Sequence, residues 1–350
     1  MSLTRPDLDA LPSYVPGRSV PGSIKLASNE VPYGPLPGVV EAVTRAAADS
    51  HRYPDLAAVA LREKLAARYG VDPARVATGC GSVALAEHLA RATCVRAQDQ
   101  ILYAWRSFEA YPIIAAATGA RSVRVPNRDD HGHDLPAMAA ALTPDTRLVF
   151  VCNPNNPTGT AVRRAELDAF LAAVPPDTLV VLDEAYREFV TDPQVPDSLA
   201  AYGGYPNVVV LRTLSKAWGL AGLRIGFLVA SPAVADAVRK VTTPFSASVV
   251  AQAAALAALD QEVEVARRAR MVVAERDRVA AALRDLLPGV PASQANFVWL
   301  PLGARSAGFA AGCEAGGVIV RPFPGDGVRV TIGTPTENDA FLAAAKAALG

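Results

Sequence analysis

Four apolar runs in this chain end in residues that can do chemistry. VFVCN leads into Pro154-Asn155-Asn156-Pro157-Thr158-Gly159, LVVL into Asp183-Glu184-Ala185-Tyr186, VVVLR into Thr213-Leu214-Ser215-Lys216, and VAT (76–78) into Gly79-Cys80-Gly81-Ser82. Lys216 offers a nucleophilic amine beside the hydroxyls of Thr213 and Ser215, with Arg224 shortly after it. An aldehyde-bearing, phosphorylated cofactor would use all four: the amine forms a Schiff base, while hydroxyls and guanidinium hold the phosphate. Read alone, a Ser-Lys pair is far more readily a surface lysine. Asp183 shifts the balance, because an acid ending a buried strand is costly without a positive partner, and a protonated pyridine nitrogen is such a partner. Its plainer alternative is an N-cap for the next helix. Tyr186 and Asn156 could reach a ring hydroxyl of the same cofactor.

The loop Gly79-Cys80-Gly81-Ser82-Val83-Ala84 fits the dinucleotide pattern G-x-G-x-x-A, with Asp99 at the distance of a ribose-binding acid. That acid should end a strand, whereas Asp99 precedes the strand QILYA and belongs at the opposite edge of the sheet. What survives is a site for a single phosphate, with glycines admitting the backbone and a helix N-terminus favouring negative charge. His131 and His133 have the look of a metal pair, but PNRDDHGHDLPAM reads as a polar loop in which Asp134 caps the next helix, so no metal is expected. Arg267, Arg268 and Arg270 read as a solvated helix face balanced by Glu262, Glu264 and Glu275.

These strand ends need a scaffold, and 350 residues suffice for two domains. With 51% hydrophobic and 19% charged residues the chain can bury a large core. Thirty-four basic residues against 34 acidic ones leave no net charge, which argues against a nucleic-acid or anionic-membrane partner. Cys80, Cys94, Cys152 and Cys313 form no C-x-x-C pair and read as reduced thiols. The opening MSLTRPDLDALPSYVPG lacks an apolar run behind a basic start, so a cytoplasmic protein is expected.

Strand-like runs at 75–78, 100–104, 122–125, 148–152, 179–182, 208–211 and 225–229 alternate with helical periods at 83–94, 109–118, 135–142 and 165–174. This is the α/β pattern, with strands buried on both faces. A long helical stretch over 248–287, breaking near Asp260, marks a domain boundary. Short strands at 296–300, 318–321 and 328–332 and a closing helix at 337–349 then make a small α+β unit. Residues 30–247 are expected to form the large domain, with 1–29 as an N-terminal arm of a small domain completed by 248–350.

NPNNPTG, DEAY and TLSKAWGLAGLRIGF, in this order, resemble the pyridoxal phosphate-dependent aminotransferases of the aspartate aminotransferase fold, in the histidinol-phosphate and aromatic branch. LASNE and RYPD near the start, and SQANFVWL and GVRVTIGTPTEN near the end, extend the resemblance over almost the whole chain. It implies fold type I: a large domain with a mostly parallel seven-stranded sheet, plus a smaller α+β domain. It implies that Lys216 carries the Schiff base to pyridoxal phosphate, Asp183 pairs with the ring nitrogen, and Asn156 and Tyr186 bond the ring hydroxyl. Ser82, Thr213, Ser215 and Arg224 would bind phosphate in the Gly81-Ser82-Val83 loop, where Val83 can give only its backbone N–H. Phe108 of WRSFEAY would stack on the cofactor. Tyr53 of RYPD would reach the phosphate of a partner subunit, giving a homodimer with shared active sites. Arg329 would bind the substrate carboxylate, helped by Arg321. Relatives often carry asparagine at Val31, which bears on Asn29, a further substrate-binding candidate, and on Glu30.

The reaction so implied is reversible amino transfer between an amino acid and a 2-oxo acid, with Lys216 also carrying the proton from Cα. WRSFEAYP is closer to the actinobacterial aromatic (phenylalanine) enzymes than to the histidinol-phosphate ones, which tend to have P-[ST]-[YF] there. Aromatic amino acid:2-oxoglutarate transamination is therefore expected, with histidinol phosphate as the alternative amino donor. Decarboxylation on the same fold is disfavoured if Arg329 holds the carboxylate in the ring plane. A cofactor-binding DNA regulator would need a helix-turn-helix that this sequence lacks.

Overall fold

The computed structural model describes residues 17–350 together with Leu3, Arg5 and Leu11. Most of the opening segment expected to form the arm therefore lies outside the described residues. Along the chain run β1 (Ile24–Lys25), α1 (Val39–Ala47), α2 (Val59–Tyr69), β2 (Val76–Gly79), α3 (Gly81–Thr93), β3 (Gln100–Trp105), α4 (Ala110–Thr118), β4 (Arg121–Pro126), α5 (Leu135–Ala140), β5 (Thr146–Cys152), α6 (Arg164–Ala173) and β6 (Leu179–Asp183). They are followed by α7 (Ser198–Tyr202), β7 (Val208–Thr213), β8 (Gly226–Val229), α8 (Pro232–Val241), α9 (Val249–Leu259), α10 (Glu262–Leu286), β9 (Phe297–Leu300), α11 (Ser306–Ala315), β10 (Val318–Ile319), β11 (Arg321–Phe323), β12 (Gly327–Thr331) and α12 (Pro335–Leu349).

All seven strands expected in the first part of the chain join one sheet of order β2-β8-β7-β6-β5-β3-β4. Only β8 runs against the others. The alternation along each strand sends side chains to two separate cores. Leu148 and Phe150 of β5, Leu179 and Val181 of β6, and Val209 and Leu211 of β7 pack with Leu85 and Leu89 of α3 and Tyr111 and Ile114 of α4. Their neighbours Val149, Val151, Val180, Leu182, Val208 and Val210 pack on the other face with Met138 of α5 and Leu167 and Phe170 of α6. Helices on both faces explain why these strands read as unbroken apolar runs.

The C-terminal part differs from expectation in two places, the first being α11, which lies where the sequence analysis assigns no element. Residues 318–321 are not one strand: the chain breaks at Val320, so β10 pairs with β1 while β11 joins the antiparallel sheet β11-β12-β9. The long helical stretch does break at Asp260, into α9 and α10, and α9 packs against α1 and α2. Those two helices lie where the sequence analysis assigns no element. Helix α1 starts at Gly38 without a side-chain cap, although its period is clearly amphipathic, whereas α2 buries only Leu61, Leu65 and Ala66 of VALREKLAARY and carries little signal.

The basic run on α10 also needs correction. Arg267 and Arg270 are exposed, but Arg268 is half-buried and donates to the backbone oxygen of Gly34 at 2.6 Å. Glu264 bonds both Arg267 and Arg268, whereas Glu262 pairs with Arg68 and Glu275 with Arg278.

Candidate active site

The carboxyl ends of β2, β5, β6 and β7 meet at one edge of the sheet, and antiparallel β8 begins there, which brings Arg224 to the same place from the opposite chain direction. Ligands of open parallel sheets bind beyond this edge. A cavity of about 250 Å³ lies there, lined by Asn29, Ser82, Val83, Phe108, Asn156, Asp183, Tyr186, Thr213, Ser215, Lys216, Arg224, Arg321 and Arg329. Nearly every residue expected at the site is thus in one wall. Tyr53 is not: it is 82% exposed, stacked on Phe245 with ring centroids 4.5 Å apart.

One end of the cavity is built for an anion. Gly81 has φ +79, and a Cβ added to it would lie 2.5 Å from Arg224 Nη2. A Cβ on Gly226 would lie 2.6 Å from the Ser82 nitrogen, so the loop is pressed between β8 and the guanidinium. Cys80 makes no capping bond to α3, which leaves the first N–H groups of that helix for a ligand. Arg224 Nη1 donates to Ser215 Oγ at 3.2 Å, and Thr213 Oγ1 accepts from the Ser215 nitrogen at 3.1 Å.

The other end is built for a cation. Asp183 continues the parity of Leu179 and Val181, so its carboxylate falls on the α4 face, where the Tyr111 hydroxyl donates to Oδ2 at 2.9 Å. The second oxygen, Oδ1, is buried without a hydrogen-bond partner. Burial pushes the Asp183 carboxyl up to about 6, against the opposing pull of Tyr111. Next in sequence, Glu184 has the opposite parity and meets Arg212 at 2.7 Å on the far side. A flat ring with a protonated nitrogen at one end and a phosphate at the other fits this pair of ends.

Between them lie two hydroxyl or amide donors. Tyr186 accepts from Asn29 Nδ2 at 2.9 Å, and burial raises its pKa, so the phenol keeps its proton and can donate it. Asn156 Oδ1 accepts from Arg329 Nη1 at 2.6 Å, which leaves its amide N–H groups for another acceptor. Asn29 itself is buried at φ 53, held by Thr331 from its backbone nitrogen at 2.8 Å. Lys216 lies 6.0 Å from the Tyr186 ring centroid. Burial and the charge of Arg329 push its amine down to about 8, so it loses its proton far more easily than an exposed lysine.

Arg329 is buried on β12, its Nη2 donating to the Ala27 oxygen at 2.9 Å. Across the strand pair, in direct register, stands Arg321, whose Nη2 donates to Glu109 Oε2 at 3.0 Å. Sequence reasoning missed Tyr111 and Glu109. Both lie inside the motif WRSFEAYP, and the helical spacing from Phe108 to Tyr111 was the available signal for the tyrosine.

The other features singled out in the sequence lie elsewhere. Asp99 precedes β3 at the far end of the sheet and accepts from the Val95 and Arg96 nitrogens at 2.8 Å each, a local turn rather than a ribose site. Asp134 caps α5 through the Ala137 nitrogen, and burial pushes His133 down to about 4, leaving it neutral. A wider, open cleft of about 970 Å³ runs past Arg128 and Arg163, whose charges are matched by Glu166 at 2.9 Å and Asp192 at 3.0 Å. Among the described residues no helix is long and apolar enough to cross a membrane.

Residues 21–344 match the family model described as aminotransferase class I and II. A protein of Streptomyces coelicolor named aromatic amino acid aminotransferase is 57% identical over 342 residues, covering 97% of this chain and 95% of that one. One of the same name from Thermobifida fusca is 55% identical, covering 98% and 96%. Among solved structures, histidinol-phosphate aminotransferase from Sinorhizobium meliloti in complex with pyridoxal-5'-phosphate superposes with a TM-score of 0.90 at 30% identity, covering 100% of this chain and 98% of that one.

Proposed function

The chain belongs to the class I and II aminotransferases, and from that premise we propose that it exchanges amino groups between aromatic amino acids and 2-oxoglutarate on pyridoxal phosphate. The observation that carries the reading is the orphaned, buried Asp183 oxygen sharing one cavity with the Lys216 amine and the Arg329 guanidinium. Relatives of 54–57% identity that share the name aromatic amino acid aminotransferase support the substrate.

Pyridoxal phosphate, when bound, supplies an aldehyde that condenses with amines and a protonated ring that accepts electrons. Asp183 Oδ1 would hold the ring N–H⁺, with Tyr111 fixing the other carboxylate oxygen. The Tyr186 hydroxyl and the Asn156 amide would donate to the ring oxygen. The backbone N–H groups of Ser82 and Val83 at the start of α3, with Thr213, Ser215 and Arg224, would hold the phosphate, and Phe108 would lie against the ring. Lys216 would be the nucleophile, and its neutral Nζ, once displaced by substrate, would carry the proton between the substrate Cα and the carbon that bears the cofactor's aldehyde, which its lowered pKa favours near neutral pH. Arg329, oriented by Asn156 and the Ala27 carbonyl, binds the substrate α-carboxylate in a two-point contact.

Tyr53 acts in trans. Its exposure and its stacking on Phe245 leave it outside its own cavity and support a homodimer in which it reaches the partner's phosphate. Free cysteines at all four positions support a cytoplasmic setting.

Side-by-side rates with phenylalanine and histidinol phosphate, each with 2-oxoglutarate, test the substrate assignment. A higher kcat/KM for phenylalanine is expected, and a preference for histidinol phosphate would reverse it.

A further inference from the structure

Glu109 follows Phe108 directly and sits just before α4, at the wall of the cavity. Its bond to Arg321 joins residues that the chain separates by 212 positions. Away from Arg224, the cavity thus carries two further guanidiniums on directly paired strand positions, with different company. Arg329 is held by an amide oxygen and a backbone carbonyl, whereas Arg321 has a carboxylate supplied by the protein itself. The Arg321 side chain is 12% exposed and that of Glu109 30%, so the acid is the more solvated partner.

An aminotransferase must take two unlike side chains in turn at one site. The α-carboxylate is common to both, so the residue that binds it cannot tell them apart. The difference lies further out, where one substrate carries a ring and the other a second anion. We infer that Glu109 is the specificity-determining residue of this site: it occupies the place of a substrate's distal anion on Arg321, stays while an uncharged side chain is bound, and yields when an anionic one arrives. This rests on the aminotransferase reading of the cavity.

The physical grounds are two. A guanidinium set against an aromatic substrate without a counter-charge would be desolvated at a cost, and Glu109 removes that cost. A partly exposed ion pair is weak enough to exchange partners, and Glu109 can turn toward solvent when displaced. Arg321 also lies over the Phe323 ring at 5.4 Å, which keeps its guanidinium in place while the carboxylate changes. Discrimination then comes from a built-in competitor that opposes only the anionic class.

The test uses the cofactor-loaded protein and two acceptors, 2-oxoglutarate and phenylpyruvate. Glu109 makes no side-chain capping bond to α4, so E109Q removes charge without removing a cap. E109Q should raise kcat/KM for 2-oxoglutarate by about fivefold and leave phenylpyruvate within about twofold. R321Q should reduce 2-oxoglutarate far more than phenylpyruvate, and in the R321Q background E109Q should change neither. Equal effects of E109Q on both acceptors, or an undiminished gain without Arg321, would overturn the inference. If the native protein prefers histidinol phosphate to phenylalanine, the aromatic assignment fails, while the ratio of anionic to uncharged acceptors still judges Glu109.

Discussion

Arg321 and Arg329 stand directly opposite each other on β11 and β12, two guanidiniums in register on neighbouring antiparallel strands. Like charges in such a pair oppose the sheet, so their juxtaposition is best understood through the anions they receive. Arg329→Ala should lower kcat/KM for phenylalanine and 2-oxoglutarate alike, on the order of 10²-fold, with the cofactor spectrum unchanged. Arg329→Lys should not restore it, because a lysine cannot make the two-point contact. A mutant impaired only with 2-oxoglutarate would place the phenylalanine carboxylate elsewhere.

Lys216 makes a prediction about pH. In the cofactor-free protein its amine should react with pyridoxal phosphate along a curve centred near pH 8, since the neutral form is the nucleophile. Arg329→Ala removes a charge that lowers this pKa, so the curve should move to higher pH. Between about 8 and the ordinary lysine value of 10.5 the unfolded chain holds a proton that the folded one has released. Stability from this group should therefore rise with pH across that window and be lost in Lys216→Met. Trapping the adduct by borohydride at several pH values measures the first effect. An adduct that forms in undiminished yield at another lysine in Lys216→Ala would sink the assignment.

Asp183 and Tyr111 should separate by degree. Asp183→Ala should cost about 10²- to 10³-fold in turnover while phosphate contacts retain the cofactor. Tyr111→Phe should cost about tenfold, the value of one hydrogen bond to a charged group. It should also raise the Asp183 pKa above about 6, because the lost bond favoured the carboxylate. Cofactor affinity should then begin to fall at a higher pH on acidification, which a titration of binding against pH reads directly.

Gly81→Ala should strike the phosphate end alone. The position needs φ +79 and has no room for a methyl beside Arg224. Cofactor affinity should fall by about 5- to 30-fold, corresponding to a strain of roughly 1–2 kcal/mol. An unchanged dissociation constant by equilibrium dialysis would mean that Arg224 moves aside freely.

Tyr53 should complement in trans. Mixed dimers of Tyr53→Phe and Lys216→Ala should regain sites with both residues intact and show more activity than either parent. Hybrids that form without that gain would rule out sharing.

The sheet was legible because its central strands are apolar runs buried on both faces, although the edge strand β4, RSVRVP, is largely exposed, and the site because its residues follow those runs. In the structure parity sets Asp183: two residues beyond Val181, it faces α4. What stayed hidden depends on contacts between distant segments. The break at Val320 separates two strands that pair with different partners, which local pattern cannot show. Arg268 reads as solvated until Gly34 is brought beside it, and Glu109 reads as an ordinary surface acid until Arg321 arrives from the far end of the chain.

The parallel pairing of β1 with β10 continues past the strands: the Leu26 nitrogen bonds the Ile319 oxygen, the Thr331 nitrogen bonds the Leu26 oxygen, and Asn29 rests on Thr331. During synthesis the segment carrying Ala27 and Asn29 emerges early, yet its partners Val318, Ile319 and Thr331 lie far downstream. The seven-stranded sheet, whose strands are all made once Val229 has appeared, can form before them. The substrate end cannot, because the carbonyl that orients Arg329 and the amide that meets Tyr186 wait on that later segment. A nascent or C-terminally shortened chain would thus hold the anion end of its cavity ready before it could recognise anything to transform.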